Sequence, residues 1–305
     1  MTGEAPETPE TLTTAADGRT ALRMVRRLAH PPEKVWRALT EPGHLAHWFP
    51  SDVEMELRPG GKVRFAFRHG EMPDLDGEVT EVDPPRVLAY TWGGDLLRWE
   101  VEPAASGSVL TLTHTFADRP GAASFASGWD TCIAGIDPAL DGRPTPPPGD
   151  INAKHERFVA VFGLDQGTVE ALEAGVPAAD GEEGWRVRFE RQLTQPAATV
   201  WRTLLGKVVA PEVGGTVPSG FATGEFGHGP VSEVRAPVLL AYAWDQDGRY
   251  GGTVRWELTE GTGHGARLIL THTGSAEFAG RRSAALDAWH DHVEDLARRL
   301  AEMPR

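Results

Sequence analysis

The chain has 305 residues, of which 40% are hydrophobic and 24% are charged, a composition typical of soluble globular proteins. Its formal net charge is −14 at pH 7, and because nucleic acids and anionic membranes require clustered lysine and arginine, we expect neither as a partner. No apolar run approaches the roughly 18 residues of a membrane span, and a single cysteine, Cys132, excludes an internal disulfide and a cysteine-based zinc site.

Residues 1–20 are acidic and rich in threonine, and they lack the basic start and apolar stretch of a signal peptide. This composition predicts a disordered tail. Together with the single cysteine, it predicts a cytoplasmic protein. The length favours two domains, each large enough to bury a core.

Alternating apolar residues predict a strand that ends at Pro31, and a helix should begin at Pro31 and Pro32 because proline suits the first turn of a helix. Five further segments alternate between apolar and polar residues, as strands of an antiparallel sheet with one solvated face do. The apolar faces of these strands are Val53, Met55 and Leu57; Val63, Phe65 and Phe67; Leu88, Tyr90 and Trp92; Leu97, Trp99 and Val101; and Leu110, Leu112 and His114. Apolar residues from Phe125 to Leu140 then recur at helical spacing and predict a terminal helix.

The same pattern occurs twice in the chain, which indicates a tandem duplication. The matched segments are 26–39 with 191–204, 77–92 with 229–244, 97–102 with 254–259, and 110–116 ("LTLTHTF") with 268–274 ("LILTHTG"); Trp129 also matches Trp289. The offset between copies falls from 165 to 152 residues after the first match, so the second copy has lost 13 residues and we expect it to have a shortened sheet.

These observations predict an intact domain over 21–143, a linker with a short helix over 144–184 and a reduced domain over 185–303. The fold class is α+β, with two tandem domains. In each, a curved antiparallel sheet wraps round a long C-terminal helix.

"HPPEKVWRALTEPGHLAHWFP", "GEVTEVDPPRVLAYTW", "RWEVEP" and "LTLTHTF", followed by Gly128 and Trp129, together resemble the START-like (SRPBCC) helix-grip superfamily. Within it, they are similar to the branch named after the activator of the ninety-kilodalton heat-shock protein's ATPase. The resemblance implies a seven-stranded sheet around a terminal helix, with a cavity that takes lipids, sterols, polyketides or hormones in related families. It implies no catalytic motif and no chaperone-binding domain.

Three polar residues interrupt the predicted inward face, namely Arg26, Glu81 and His114. Since the resemblance places the first strand beside the last, we expect Arg26 to lie near His114. The three side chains either form a structural polar cluster at one end of the barrel or orient a ligand carboxylate or hydroxyl in an apolar pocket.

Aromatic side chains should line the concave face of the first domain, either as filled core or as cavity walls. The candidate ligand-binding residues are therefore Arg26, Trp48, Phe65, Phe67, Glu81, Tyr90, Trp92, Trp99, His114 and Trp129. We expect no catalytic residue, metal or cofactor, since the spacing of His44 with His47 and of His290 with His292 does not form a metal motif.

The sequence favours binding of a small hydrophobic or amphipathic molecule in the first domain, with a mainly structural second domain. Two alternatives remain open at this stage. One is an enzyme similar to polyketide cyclases and aromatases, and the other is a protein-interaction platform without a ligand.

Overall fold

In the computed structural model, the chain forms two compact units, Met1–Ile151 and Asn152–Arg305. The structure describes residues 10–68, 73–172, 184–207, 210–263 and 265–304. Within these ranges, no helix is both long and apolar enough to cross a membrane.

The first unit combines one sheet with four short α-helices. Its strands are β1 (Glu10–Thr14), β2 (Thr20–Leu28), β3 (Ser51–Met55), β4 (Lys62–Phe67), β5 (Leu75–Asp83), β6 (Val87–Trp92), β7 (Asp95–Ala104) and β8 (Gly107–Phe116). Its helices are α1 (Pro32–Thr40), α2 (Pro42–Leu45), α3 (Ala122–Ile133) and α4 (Ile136–Leu140). The antiparallel sheet has the order β1-β2-β8-β7-β6-β5-β4-β3, which confirms the predicted α+β architecture.

Strand β1 lies inside the predicted disordered tail, so that prediction is wrong from residue 10 onwards. Glu10 pairs with Met24 of β2, and its carboxylate is buried. Composition concealed the strand because "ETLTT" has little apolar alternation, although threonine favours strands. The strand brings the sheet to eight strands instead of the seven that the resemblance implies. Residues 1–9 lie outside the described part of the chain.

Helix α1 begins where the sequence predicts. Pro31 is its N-cap with extended backbone angles, and Pro32 occupies the first turn, where no backbone N–H is needed. Its side chains Val35 and Leu39, one turn apart on the same face, are buried. The apolar face therefore fixes the helix against the core.

The predicted terminal helix of the first domain is two helices rather than one. Helix α3 ends at Ile133 and α4 begins at Ile136. Pro138 explains the break, because a proline ring in a continuous helix would collide with the carbonyl group four residues earlier, that of Ala134. The second domain has no such proline, and its terminal helix is continuous over 20 residues.

The second unit has a smaller antiparallel sheet. Its strands are β9 (Thr168–Leu172), β10 (Gly184–Gln192), β11 (Gly227–Arg235), β12 (Leu239–Gln246), β13 (Arg249–Glu260) and β14 (Ala266–Ser275). The remaining helices are α5 (Ile151–Phe162), which lies within the predicted linker, α6 (Ala197–Leu205) and α7 (Arg282–Ala301). The strand order is β11-β12-β13-β14-β10-β9.

The shortened second sheet confirms the prediction from the falling offset. Strands β9 to β14 correspond in order to β1, β2 and β5 to β8, so the described residues contain no counterpart of β3 and β4. The segment that replaces them supplies Val217, Phe221 and Phe226, all buried in the core. These side chains contribute to the core of the shortened domain.

Both domains contain a pair of adjacent glycines, which in the first domain lies between β3 and β4. In the first domain, Gly60 donates to the Val79 carbonyl and the Val79 N–H donates to the Gly61 carbonyl, at 2.9 and 2.8 Å. Gly214 and Gly215 make the same two bonds to Val231, at 2.8 and 2.9 Å. We call this backbone pairing the glycine clip.

The predicted linker, 144–184, is partly structured. Helix α5 lies where a short helix was predicted. Strand β9 was not predicted, and it pairs with β10 as an outer strand of the second sheet. The linker prediction is therefore wrong for Thr168–Leu172, which belongs to the second domain.

Candidate functional site

The concave face of the first domain holds a continuous aromatic cluster. The ring of Trp99 lies 5.6 Å from that of Trp48 and 5.6 Å from that of Trp129, edge to face in both pairs. Phe65 and Tyr90 have ring centroids 5.8 Å apart. All five side chains are buried. Most of the predicted wall residues therefore pack against one another.

The polar atoms of this cluster are largely satisfied within the domain. Trp48 Nε1 donates to the Ala38 carbonyl at 2.9 Å, and Trp99 Nε1 donates to the Tyr90 hydroxyl at 3.1 Å. Burial raises the pKa of Tyr90 well above its usual value, so its hydroxyl stays protonated. These residues form the packed base of the site.

A chain of hydrogen bonds runs from the aromatic base to the end of the sheet. Trp129 Nε1 donates to His114 Nδ1 at 3.1 Å, and His114 Nε2 lies 3.0 Å from the Asp95 carboxylate. An indole N–H can only donate, so His114 Nδ1 accepts and Nε2 carries the proton to Asp95. Burial lowers the pKa of His114, and the bond to Asp95 opposes that shift. His114 is thus a neutral, fully buried link between a helix and a carboxylate.

Trp92 and Phe67 lie at the same end of the sheet as Asp95. Each is half-buried, unlike the cluster beneath them. The Trp92 ring contacts the rings of Trp129 and His114, with centroids 5.7 and 6.0 Å away. Its Nε1 is buried and has no hydrogen-bond partner among the residues that the structure describes. We call the residues Phe67, Trp92, Asp95 and His114 the open end.

The expected closeness of Arg26 and His114 is wrong. Strand β2 does lie beside β8, but antiparallel pairing places His114 opposite Leu22 and Arg26 opposite Leu110. Four strand residues, or roughly 13 Å, therefore separate Arg26 from the position opposite His114. The Arg26 guanidinium binds Glu10 and Asp130, each at 2.7 Å. It joins β1, β2 and α3 and lies away from the open end.

The expected inward orientation of Glu81 is also wrong. The register shifts between Val79 and Glu81, and this β-bulge breaks the alternation on which the expectation depended. Val79 is buried, whereas the Glu81 side chain is 48% exposed and pairs with Arg98 at 2.8 Å. That ion pair lowers the pKa of Glu81. Glu81 therefore belongs to the solvated face of the sheet.

The second domain repeats the base of the site but not the open end. Trp289 Nε1 donates to His272 Nδ1 at 2.8 Å, as in the first domain. Gly252 occupies the position of Asp95, so His272 Nε2 has no hydrogen-bond partner in the described part of the chain. Burial lowers the pKa of His272 to about 3. Trp244, the counterpart of Trp92, is fully buried and donates to the Thr273 carbonyl at 2.7 Å.

One pair of side chains is exchanged between the copies at this end. The first domain pairs Thr20 with Phe116, and the second pairs Trp185 with Gly274. A Cβ atom on Gly274 would lie 2.3 Å from the Trp185 ring. The large side chain of the pair is therefore on the last strand in the first domain, as Phe116, and on β10 in the second domain, as Trp185. The Trp185 ring covers this end of the second sheet.

Two grooves of about 490 and 470 Å³ lie elsewhere on the domains. They occupy equivalent positions, beside Val238 in the second domain and Val87 in the first. Strand β6 begins at Val87 and ends at Trp92, so the first-domain groove is at the far end of the strand from the open end. Neither groove has an aromatic lining residue.

The histidine pairs of the sequence make other contacts. His44 lies 3.5 Å from Glu41, and His290 lies 3.6 Å from Asp165. His292 Nε2 donates to the Gly220 carbonyl at 2.8 Å, and burial lowers its pKa. Among the described residues, no group of three or more histidine, cysteine or acidic side chains could hold a metal ion.

Sequence reasoning missed Asp95, although a signal for it was present. The inward face of β7 was assigned to Leu97, Trp99 and Val101, and one more step of the same alternation reaches Asp95. Asp95 pairs with Trp92 across the hairpin, which places both side chains on one face. The apolar pattern ended at Leu97, so the acidic residue before it was not considered.

The family model described as "Activator of Hsp90 ATPase homolog 1-like protein" matches the chain twice, over residues 29–141 and 189–301. No curated protein matches the chain.

Several solved structures are similar to one domain's length of the chain. A conserved protein of unknown function from Enterococcus faecalis is 18% identical, with 50% of this chain and 89% of that chain covered and a TM-score of 0.43. CalU16 from Micromonospora echinospora is 21% identical, with 50% and 94% covered and a TM-score of 0.40. A protein from Nitrosomonas europaea is 27% identical, with 40% and 94% covered and a TM-score of 0.36.

Proposed function

Because the chain belongs to the family of Activator of Hsp90 ATPase homolog 1-like proteins, whose fold generally serves ligand binding, we propose that its first domain binds a small hydrophobic or amphipathic molecule. The binding site is the open end, and the buried aromatic cluster forms its floor. The second domain is mainly structural in this proposal.

The observation that carries the proposal is the unpaired Trp92 Nε1. A buried donor without a partner costs about 1–3 kcal/mol. At the equivalent position of the second domain, Trp244 avoids that cost by donating to the Thr273 carbonyl, although Trp185 Nε1 in the same domain is also buried without a partner among the described residues. In the first domain the same atom is buried and unpaired. A ligand with a hydrogen-bond acceptor would complete it.

The surroundings of Trp92 suit an amphipathic molecule. The half-buried rings of Trp92 and Phe67 offer apolar surface, and the Asp95 side chain, 24% exposed, offers a polar contact beside them. A few polar groups on an otherwise apolar surface are typical of small-molecule sites.

Titration with 1-naphthalenemethanol, measured by isothermal calorimetry, tests the proposal. Trp92→Phe keeps an aromatic side chain but removes the N–H together with the five-membered ring, so affinity should fall at least about two- to tenfold, the value of one hydrogen bond. The matched variant Trp244→Phe should leave affinity unchanged and lower the thermal stability, since Thr273 loses its donor. Failure of the probe to bind, or equal weakening by both variants, would contradict the proposal.

An enzyme of the cyclase and aromatase type remains the weaker candidate. General acid or base catalysis needs a group that reaches the substrate, whereas His114 is fully buried and both ring nitrogens bond within the domain. An interaction platform has no comparable observation in its favour. Consistent with the charge of −14 and the single cysteine, we further propose a cytoplasmic protein without a nucleic-acid partner.

A further inference from the structure

Asp95 gives the open end a carboxylate at its inner edge. Its hairpin partner is Trp92, and the two residues bracket the turn formed by Gly93 and Gly94. The Asp95 carboxylate reaches His114 at 3.0 Å, while about a quarter of its side chain stays exposed. One oxygen therefore points to the protein interior, and the group as a whole remains accessible.

The imidazole of His114 does not neutralise this carboxylate. Trp129 donates to His114 Nδ1, so the ring satisfies Asp95 with the proton of a neutral imidazole. Burial favours the same neutral form by lowering the pKa of His114. The negative charge of Asp95 is thus hydrogen-bonded but not cancelled.

Basic side chains around the open end bind other carboxylates, and Arg68, which follows Phe67, is paired with Asp52 at 2.7 Å. Arg19 binds the Asp17 carboxylate through Nε at 2.8 Å and donates to the Gly94 carbonyl at 3.3 Å. Arg26, which the sequence suggested as the ligand's charged contact, is held by Glu10 and Asp130. In the described part of the chain, the ion-pair partner of Asp95 is His114.

We infer that the ligand of the open end carries an amine in addition to the acceptor that Trp92 Nε1 requires, and that its ammonium group pairs with Asp95 beside the ring of Trp92. This inference rests on the ligand site proposed above and names its ligand class. Ammonium groups form charge-assisted bonds to carboxylates and are attracted to the face of an indole. The same carboxylate repels a carboxylic acid, the ligand that an inward Arg26 would have selected.

Three probes that share one naphthalene ring separate the possible classes. They are 1-naphthylmethylamine, 1-naphthalenemethanol and 1-naphthoic acid, each titrated into the full chain at pH 7 by isothermal calorimetry. We expect the amine to bind about tenfold more tightly than the alcohol, as a charge-assisted bond implies, and the acid to bind most weakly. Added salt should reduce the advantage of the amine and leave the alcohol unaffected.

Asp95→Asn tests the assignment to this residue, because asparagine still accepts from His114 but carries no charge. It should abolish the advantage of the amine over the alcohol, since only the alcohol can accept from Trp92 Nε1, while the alcohol binds as before. Glu102→Gln is the matched control, since it removes an exposed charge at the opposite end of β7 and should preserve the difference.

The outcomes distinguish this inference from the proposed function. If the alcohol binds but the amine shows no advantage, or if Asp95→Asn retains that advantage, the amine inference is overturned and the ligand site stands. If none of the three probes binds, both are overturned.

Discussion

Replacing Arg191 with methionine should destabilise the second domain by about 3 kcal/mol. Arg191 is 1% exposed and lies between Glu156, with 2.5 Å between Nη2 and Oε2, and Glu294, with 2.9 Å between Nε and Oε1. Breaking a buried ion pair costs about 3–5 kcal/mol because a charge is left without its partner. The two carboxylates are 23% and 32% exposed, so water reaches them and the lower end of that range applies.

The pH dependence of this loss follows from the carboxylates. Burial raises the pKa of Glu156 even with Arg191 present, so a folded domain without the arginine favours the protonated acid. A raised pKa gives stability that is present below the unfolded value and is lost as pH rises through the folded value. The deficit of Arg191→Met should therefore be smaller at pH 4.5 than at pH 7.

Hydrogen exchange with mass spectrometry measures the effect in each domain separately, through the protection of β10 and β2. The matched variant is Arg98→Met in the first domain, whose side chain is 32% exposed and whose partner Glu81 is 48% exposed. It should cost only about 0.2–1 kcal/mol, since solvent screens exposed pairs. Equal losses in the two domains, or a loss below 1 kcal/mol for Arg191→Met, would refute this reasoning.

Two further predictions concern the closed end of the second domain. Since the pKa of His272 is lowered to about 3, its contribution to stability is fully present above the unfolded value near 6.5 and is lost as pH falls toward 3. Urea unfolding should show a loss of about 2 kcal/mol between pH 7 and pH 5, and His272→Gln should reduce that loss. Gly274→Phe should be destabilising because the new side chain would clash with the Trp185 ring. Adding Trp185→Thr should restore part of the stability, since it recreates the Thr20 and Phe116 pair of the first domain. Strictly additive effects in the double-mutant cycle would argue against steric exchange.

The sequence predicted the duplicated architecture because periodicity and repetition are local properties. The alternation of Leu97, Trp99 and Val101 and the matched "LTLTHTF" and "LILTHTG" segments needed no knowledge of tertiary structure. The loss of two strands likewise followed from the falling offset. These features survive in the structure as the order of the two sheets.

The candidate site was predicted less well because it depends on register. A single bulge after Val79 places Glu81 on the solvated face, and no residue type in that segment indicates the bulge. Antiparallel pairing, which the sequence does not align, separated Arg26 from His114. The contrast between Trp92 and Trp244 is a matter of one hydrogen bond, visible only with both side chains in place.

The glycine clip bears on the tendency of the shortened domain to aggregate through its sheet edge. A sheet that loses its outer strands leaves backbone groups free to join the strands of neighbouring proteins, which is a common start of aggregation. At Val231 both groups are already taken by Gly214 and Gly215, and the adjacent Pro230 has no N–H to offer. The clip therefore keeps one position of the edge strand β11, at Val231, from pairing with a strand of a neighbouring protein.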